Sequence, residues 1–301
     1  MMVTEHSVVV GVDGSPPSLE AVAWAAEDAV RRSLALHILY AFVWPPVYTT
    51  VPTPVPSPYE LGFQAIAGRV VADAADRARQ AAPEVHVTTG TQVESAAAAL
   101  VRAAGHACEV VVGNRGHSGF AGLILGSVGV QVAAHAPCPV VVVRHTDQPA
   151  GPEADRVVIG IDGSHNADAA LRFAFEQASS AGIGLTAVLA HRWPGSARHT
   201  EDLLPLTHGA GDLREEEQRI LARSVAGWRE RYPDVDVRTT TVRGRAAEVL
   251  VDLSAGARLL VVGSRGRGGF SGLLLGSVSQ AAIHHAACPV AVIRHSKRVN
   301  A

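Results

Sequence analysis

Two glycine-rich passages hold the residues best suited to chemistry. Gly113-Asn114-Arg115-Gly116-His117-Ser118-Gly119-Phe120 runs on to Gly126-Ser127, and Gly263-Ser264-Arg265-Gly266-Arg267-Gly268-Gly269-Phe270 runs on to Gly276-Ser277. Both keep one spacing: Gly, two residues, Gly, nine residues, Gly-Ser. Each follows an apolar run and opens an apolar, Ala-rich stretch, which reads as strand, glycine loop, helix. Such a loop exposes backbone N–H groups and faces a helix N-terminus, an arrangement suited to an anion such as phosphate. A second recurring element is an acid just after an apolar run: Asp13 in Val12-Asp13-Gly14-Ser15 and Asp162 in Ile161-Asp162-Gly163-Ser164.

Positioning these residues requires a strand before each of them. Val8–Val12 is continuously apolar, the mark of a strand covered on both faces. Ser15-Pro16 reads as the cap and first position of a helix whose apolar face is Leu19, Val22, Ala23, Ala26 and Val30. Further along, Leu36–Phe42 is a strand, and Ser57-Pro58-Tyr59-Glu60 has capping-box spacing for a helix toward Gln80. Val85–Thr91 is a strand, Ser95–Ala107 a helix and Val110–Val112 a strand. Ser127–His135 is a helix with Ser127 a candidate cap, and Val140–Arg144 is the fifth strand. The second half repeats this order, with Asp212-Leu213-Arg214-Glu215 as the capping box before the helix to Arg231. Alternating strands and helices predict an α/β architecture of two tandem doubly wound, five-stranded parallel sheets. In such sheets ligands sit beyond the carboxyl ends of the strands, at the switch point. Asp13 and Gly113 leave strands at that edge, so residues a hundred positions apart are predicted neighbours.

The repeat covers nearly the whole chain. Cys138-Pro139-Val140 pairs with Cys288-Pro289-Val290, as the glycine loops and acids pair. A period this long means two copies of a domain, and 301 residues suit two domains of roughly 150 each. The expected division is a first domain over 1–146, a linker over 147–155 and a second domain over 156–301. Two intervals break the likeness. Residues 44–58 hold six prolines and read as a stiff surface loop or a polyproline ligand; residues 194–211 are its Gly- and His-containing counterpart.

Composition narrows the function classes. Net charge is −2, with no basic excess to hold nucleic acid or anionic lipid. No apolar stretch reaches the roughly 20 residues that cross a bilayer, and 1–7 lacks a signal peptide's apolar region. Three cysteines make no disulfide framework, which points to a reducing cytoplasm. Cys138 and Cys288 read as small buried residues, with a redox thiol as the alternative. Among 14 histidines no pair has zinc-type spacing backed by another ligand group. There is no Gly-x4-Gly-Lys-Ser/Thr loop, and the single lysine, Lys297, lies in the tail.

With these residues in view, the chain resembles the universal stress protein family in its tandem form, typical of actinobacteria. The glycine motif after the fourth strand, the Asp-Gly-Ser after the first and the Cys-Pro-Val before the fifth carry the resemblance, each twice. It implies ATP, with or without Mg2+, as bound cofactor. Asp13 and Asp162 would contact adenosine, with the Gly11 and Gly160 backbones close by and Ala41 and Ala190 lining the adenine pocket. Gly113, Gly116, Gly126 and Ser127, and Gly263, Gly266, Gly276 and Ser277, would hold ribose and phosphates. Asn114, Arg115, His117, Gly119 and Val128, and Ser264, Arg265, Arg267, Gly268, Gly269 and Val278, complete the candidate set. Each has a plainer reading: the acids as turn supports, the glycines as turn formers, Ser127 and Ser277 as caps, Arg115 and Arg265 as surface residues.

Taken together, the expectation is a cytoplasmic stress or growth regulator with two nucleotide sites per chain and an unidentified protein partner. It would act without catalysis, because no base is evident. A slow ATPase and a chaperone or docking module are the competing functions. Phe120–Leu125 and Phe270–Leu275 would be contact surfaces or buried flaps. The fused halves would pair through their last strands, as dimers of the family do, and a homodimer of whole chains is open to it.

Overall fold

The Val-rich runs form strands that contact water on neither face. Val8, Val9 and Val10 are wholly buried in β1 (Ser7–Val12), and Val110 and Val111 in β4 (Ala107–Gly113). The computed structural model describes residues 6–43, 58–116, 126–144, 151–164, 167–191, 210–266 and 274–294, with the side chains of 58–61 and 210–214 outside that description. Between β1 and β4 the first domain places α1 (Pro16–Arg31), β2 (Ala35–Phe42), α2 (Pro58–Ala81), β3 (Val87–Val93) and α3 (Ala96–Ala103); α4 (Ser127–His135) and β5 (Val140–Val143) follow. The strand order is β3-β2-β1-β4-β5, parallel throughout.

The second domain repeats this plan: β6 (Val157–Gly160), α5 (Ala167–Ala181), β7 (Leu185–His191), α6 (Ala210–Arg231), β8 (Val237–Arg243), α7 (Ala246–Leu253), β9 (Leu259–Gly263), α8 (Ser277–His285) and β10 (Val290–Ile293). Its order is β8-β7-β6-β9-β10, again parallel. The chain divides into compact units at Met1–His145 and Thr146–Ala301. Residues 151–155 belong physically to the second unit: Gly151 N–H donates to Ala255 C=O at 3.0 Å and Asp155 N–H to Gly256 C=O at 3.1 Å.

Within each domain the helices pack in pairs, α1 on α2 and α3 on α4, then α5 on α6 and α7 on α8. Right-handed crossovers place one pair on each face of the sheet. The strand order turns back between β1 and β4, and between β6 and β9, which opens a crevice at the carboxyl edge in each domain.

Several local expectations shift. Ser15 does cap α1, its side chain accepting from Ser18 N–H, and Pro16 opens the helix. The buried surface of α1 spans all of Ala21–Ala26, wider than one stripe, while Leu19 and Val30 are only half-buried. Helix α3 stops at Ala103, four residues early, because Gly105 and His106 N–H turn back to Arg102 and Ala103 carbonyls and Ala107 joins β4. Strand β3 begins at Val87; Val85 is buried, but its N–H closes a turn onto Ala82 C=O. Asp212 lies inside α6, which starts at Ala210, so the second capping box does not mark that helix start. Ser57, the proline-rich interval over 44–57 and its counterpart over 192–209 lie outside the described residues.

Candidate functional site

Strand β1 delivers Asp13 to the carboxyl edge, and the next residue fixes how it faces. Gly14 has φ +84° and Gly163 φ +71°, the left-handed region where a side chain is costly. The turn brings Ser15 back onto the acid: Asp13 Oδ1 accepts Ser15 N–H at 3.0 Å and Ser15 Oγ–H at 2.6 Å. Asp162 Oδ1 accepts Ser164 N–H at 2.9 Å. Turn support is therefore real, and it uses one carboxylate oxygen. The other oxygen lies against the glycine loop. A Cβ on Gly116 would run into Asp13 Oδ2, and one on Gly266 would stand 3.1 Å from Asp162 Oδ2. The predicted meeting of acid and loop occurs in both domains.

The loop leaves β4 at Asn114 and rejoins at Gly126. Asn114 N–H donates to Val143 C=O of β5 at 2.9 Å, and Asn114 C=O accepts Gly126 N–H at 2.8 Å. In the second copy Ser264 N–H donates to Ile293 C=O at 2.8 Å and Ser264 C=O accepts Gly276 N–H at 2.7 Å. Asn114 and Ser264 thus clamp the mouth of the loop through their backbones, and Ser264 is buried.

Ser127 and Ser277 are not caps. Gly126 and Gly276 occupy the capping position in extended conformation with no side-chain cap bond, and each serine is already the first helical residue. No side chain therefore caps α4 or α8, and their first-turn residues line the clefts. That leaves orphan donors and the positive end of a helix dipole for an anionic ligand.

Each domain gathers these parts around one cleft, of about 370 Å³ in the first and 450 Å³ in the second. Gly11, Asp13, Ala41, Gly113, Arg115, Gly116, Gly126, Ser127 and Val128 line the first. Gly160, Asp162, Ala190, Gly263, Arg265, Gly266, Gly276, Ser277 and Val278 line the second. Arg115 and Arg265 are both exposed and cleft-lining, so their two readings coexist. His117, Gly119, Arg267, Gly268 and Gly269 lie outside the described residues, as do 120–125 and 270–273. Leu275 is buried in the wall of the second cleft.

The lining also includes residues that no motif marks. Ala96 and Leu100 of α3 line the first cleft, and Ala246 and Leu250 of α7 the second. The available signal was topological, since α3 crosses the same edge on its way from β3 to β4. This wall also explains two glycines: a Cβ on Gly11 would stand 2.7 Å from Leu100 Cδ1, and one on Gly160 2.5 Å from Leu250 Cδ1. Gly113 has a third reason. Its Cβ would meet Pro17 C=O of α1 at 2.7 Å, so it permits a close backbone approach rather than clearing room for phosphate.

The cleft joins apolar lining residues to glycines, a helix N-terminus and one carboxylate. It suits a ligand with a flat apolar body and an anionic tail. Among the described residues no group of three His, Cys, Asp or Glu could hold a metal ion, and no helix is long and apolar enough to cross a membrane. One strongly perturbed acid lies away from the cleft. Glu109, near the start of β4, is held well above the usual carboxylate range by burial and the charge of Asp28, with Arg32 opposing.

Known proteins share this plan. The model of the universal stress protein family matches residues 5–144 and again 153–294. A universal stress protein of Mycobacterium tuberculosis strain H37Rv is 38% identical over 297 residues, covering 97% of this chain and 98% of its own. One from Mycolicibacterium smegmatis is 37% identical over 303 residues, covering 97% and 98%. The crystal structure of a universal stress protein from Archaeoglobus fulgidus superposes with TM-score 0.66 over 96% of this chain and 98% of that one; at 18% identity the likeness is one of fold.

Proposed function

The chain belongs to the universal stress protein family, and on that premise we propose that each domain binds one adenine nucleotide, ATP first among them, as a sensing or structural ligand. The observation that carries this is the same in both clefts: an aspartate pressed against a glycine loop, beside a helix N-terminus capped only by glycine. In the first cleft the slot of Leu39, Ala41 and Leu100 would take the base, and Asp13 the ribose hydroxyls. Gly116, Ser127 and Val128 would meet the phosphates with N–H and O–H donors, with Arg115 adding charge from the rim. Asp162, Gly266, Ser277, Val278 and Arg265 would do the same in the second. Bound ATP would supply a triphosphate whose charge these donors and any Mg2+ share. One carboxylate per cleft is consistent with an ion held mainly by phosphate oxygens.

The reading is of a regulator rather than an enzyme. Asp13 and Asp162 are the only carboxylates among the described lining residues, and an oxygen of each is engaged by the following turn. Donors that hold the ground state and the transition state equally do not accelerate hydrolysis. In this role nucleotide occupancy would tune a protein partner during stress or growth control in the cytoplasm.

The test is to purify the protein without added nucleotide, denature it, and identify released ligand by chromatography with its molar ratio. The expected result is adenine nucleotide approaching two per chain, or two sites on titration with ATP. Absence of both would overturn the reading. Steady-state turnover of about 1 per second or more, lost with Asp13→Ala and Asp162→Ala, would favour an ATPase instead.

A further inference from the structure

The two clefts share a frame but differ in how it is braced. In both, a backbone bond across the loop mouth joins the strand exit to the helix start, Gly126 to Asn114 and Gly276 to Ser264. The second domain adds a side chain. Ser279, in the first turn of α8, is fully buried. Its Oγ lies 2.9 Å from Gly276 C=O and 3.1 Å from Ser264 C=O, so one hydroxyl proton is shared between carbonyls on the two sides of the mouth. The corresponding position in α4 is Gly129, also buried and also in the cleft wall, with no side chain to reach across. The glycine motif itself does not distinguish the two copies, because its spacing is identical.

We infer that Ser279 is a positioning residue that pre-orders the mouth of the second glycine loop, making the second cleft the tighter nucleotide site and the first to fill. The inference rests on reading the clefts as nucleotide sites. Backbone donors converge on an anion only when the two ends of their loop are held at a fixed separation. Where the protein holds them in advance, binding loses less conformational entropy; where it does not, the ligand must do the ordering. A buried hydroxyl also demands an acceptor. Here it is satisfied by the two carbonyls that frame the mouth, so the frame cannot open without breaking it.

The test uses full-length protein in two formats. In the first, ATP with Mg2+ is titrated calorimetrically into Asp13→Ala and Asp162→Ala backgrounds, which leave one site each. The second-domain site should be the tighter, and Ser279→Ala, which keeps the helix propensity of α8, should weaken it about fivefold while leaving the first site alone. Gly129→Ser should tighten the first site, a gain that a merely structural serine would not transfer. In the second, hydrogen exchange on nucleotide-free protein should show the Gly276 amide better protected than Gly126, a difference Ser279→Ala removes. Equal affinities that ignore Ser279→Ala, or equal protection of the two amides, would overturn the inference. If the exchange difference holds but no ATP binds, it is the nucleotide reading that fails, and with it the ranking of sites.

Discussion

At the residue scale, sharp contacts distinguish glycines that look alike in sequence. Gly116 has Asp13 Oδ2 where a methyl would go, whereas Gly266 leaves 3.1 Å to Asp162 Oδ2. Gly116→Ala should push the carboxylate aside and weaken ATP at the first site by at least about tenfold, and Gly266→Ala should cost the second site about threefold, roughly 1.4 and 0.7 kcal/mol. Calorimetric titration of each variant would measure the two losses. Away from the cleft, Glu109 is wholly buried, with Arg32 at 2.8 Å from Oε2, and Asp28 takes the same guanidinium at 3.0 Å. Burial, then the Asp28 charge, raises the Glu109 carboxyl well above its ordinary range. A raised acid contributes stability that is complete below its unfolded value and is lost as pH rises through its folded value. Wild-type melting temperature should therefore carry a falling component as pH climbs, and Glu109→Gln, which mimics the protonated form, should flatten it. Melts of both proteins between about pH 5 and 9 would show whether the slopes differ. Beside this cluster the Cys138 thiol is pushed up to about 12 by burial and Glu109, which keeps it protonated and supports the plain reading of that cysteine.

At the element scale, the same helix pair is packed in two ways. Between α5 and α6 sit Phe175, Trp228 and Tyr232, with ring centroids 5.7 to 6.2 Å apart. The corresponding positions between α1 and α2 are Ala26, Ala78 and Ala82, all buried. Large rings fill one interface and close helix approach fills the other, so each needs its own residues. Phe175→Ala should open a cavity and destabilise the second domain by about 3 to 5 kcal/mol in chemical denaturation. A strand–helix junction gives the matching case in the first domain. The Cβ of Gly113→Ala would meet the Pro17 carbonyl at 2.7 Å, and no rotamer relieves a clash with backbone. It should cost about 2 kcal/mol, whereas Gly263→Ala, whose nearest atom is Arg265 C=O at 3.1 Å, should cost clearly less in the same denaturation series.

At the scale of the whole molecule, duplication makes the chain its own control. Both domains have the same strand order and the same cleft built from equivalent residues. On the proposed reading of each cleft as an ATP site, Asp13→Ala should abolish one site and leave the other, Asp162→Ala should do the converse, and the double variant should bind none while retaining its circular dichroism. Stoichiometry by titration tests this directly: a single substitution that removed both sites would show that the sites are not independent. The differences between halves, Ser279 against Gly129 and the buried acid pair of the first domain against Gln177 and Leu259 of the second, lie behind an identical glycine spacing.

The sequence alone determined the duplication, the strand and helix order and the edge of the sheet where the site lies. Those follow from periodicity and from short-range turn chemistry, which any window of residues carries: Val8–Val12 is apolar at every position, and Asp13-Gly14-Ser15 encodes its own turn. Together with the family resemblance it also named nine of the residues that line each cleft, since motif residues leave strands at one edge. What it did not contain was the partner of each residue. Gly113 reads as a phosphate glycine until α1 is seen to press on it, and Ser127 reads as a cap until Gly126 is seen to take that place. Leu100 has no motif, and Asn114 and Ser264 are lining residues by spacing alone. Their roles depend on contacts between segments tens of residues apart, and those are fixed only when sheet register and helix packing bring the segments together.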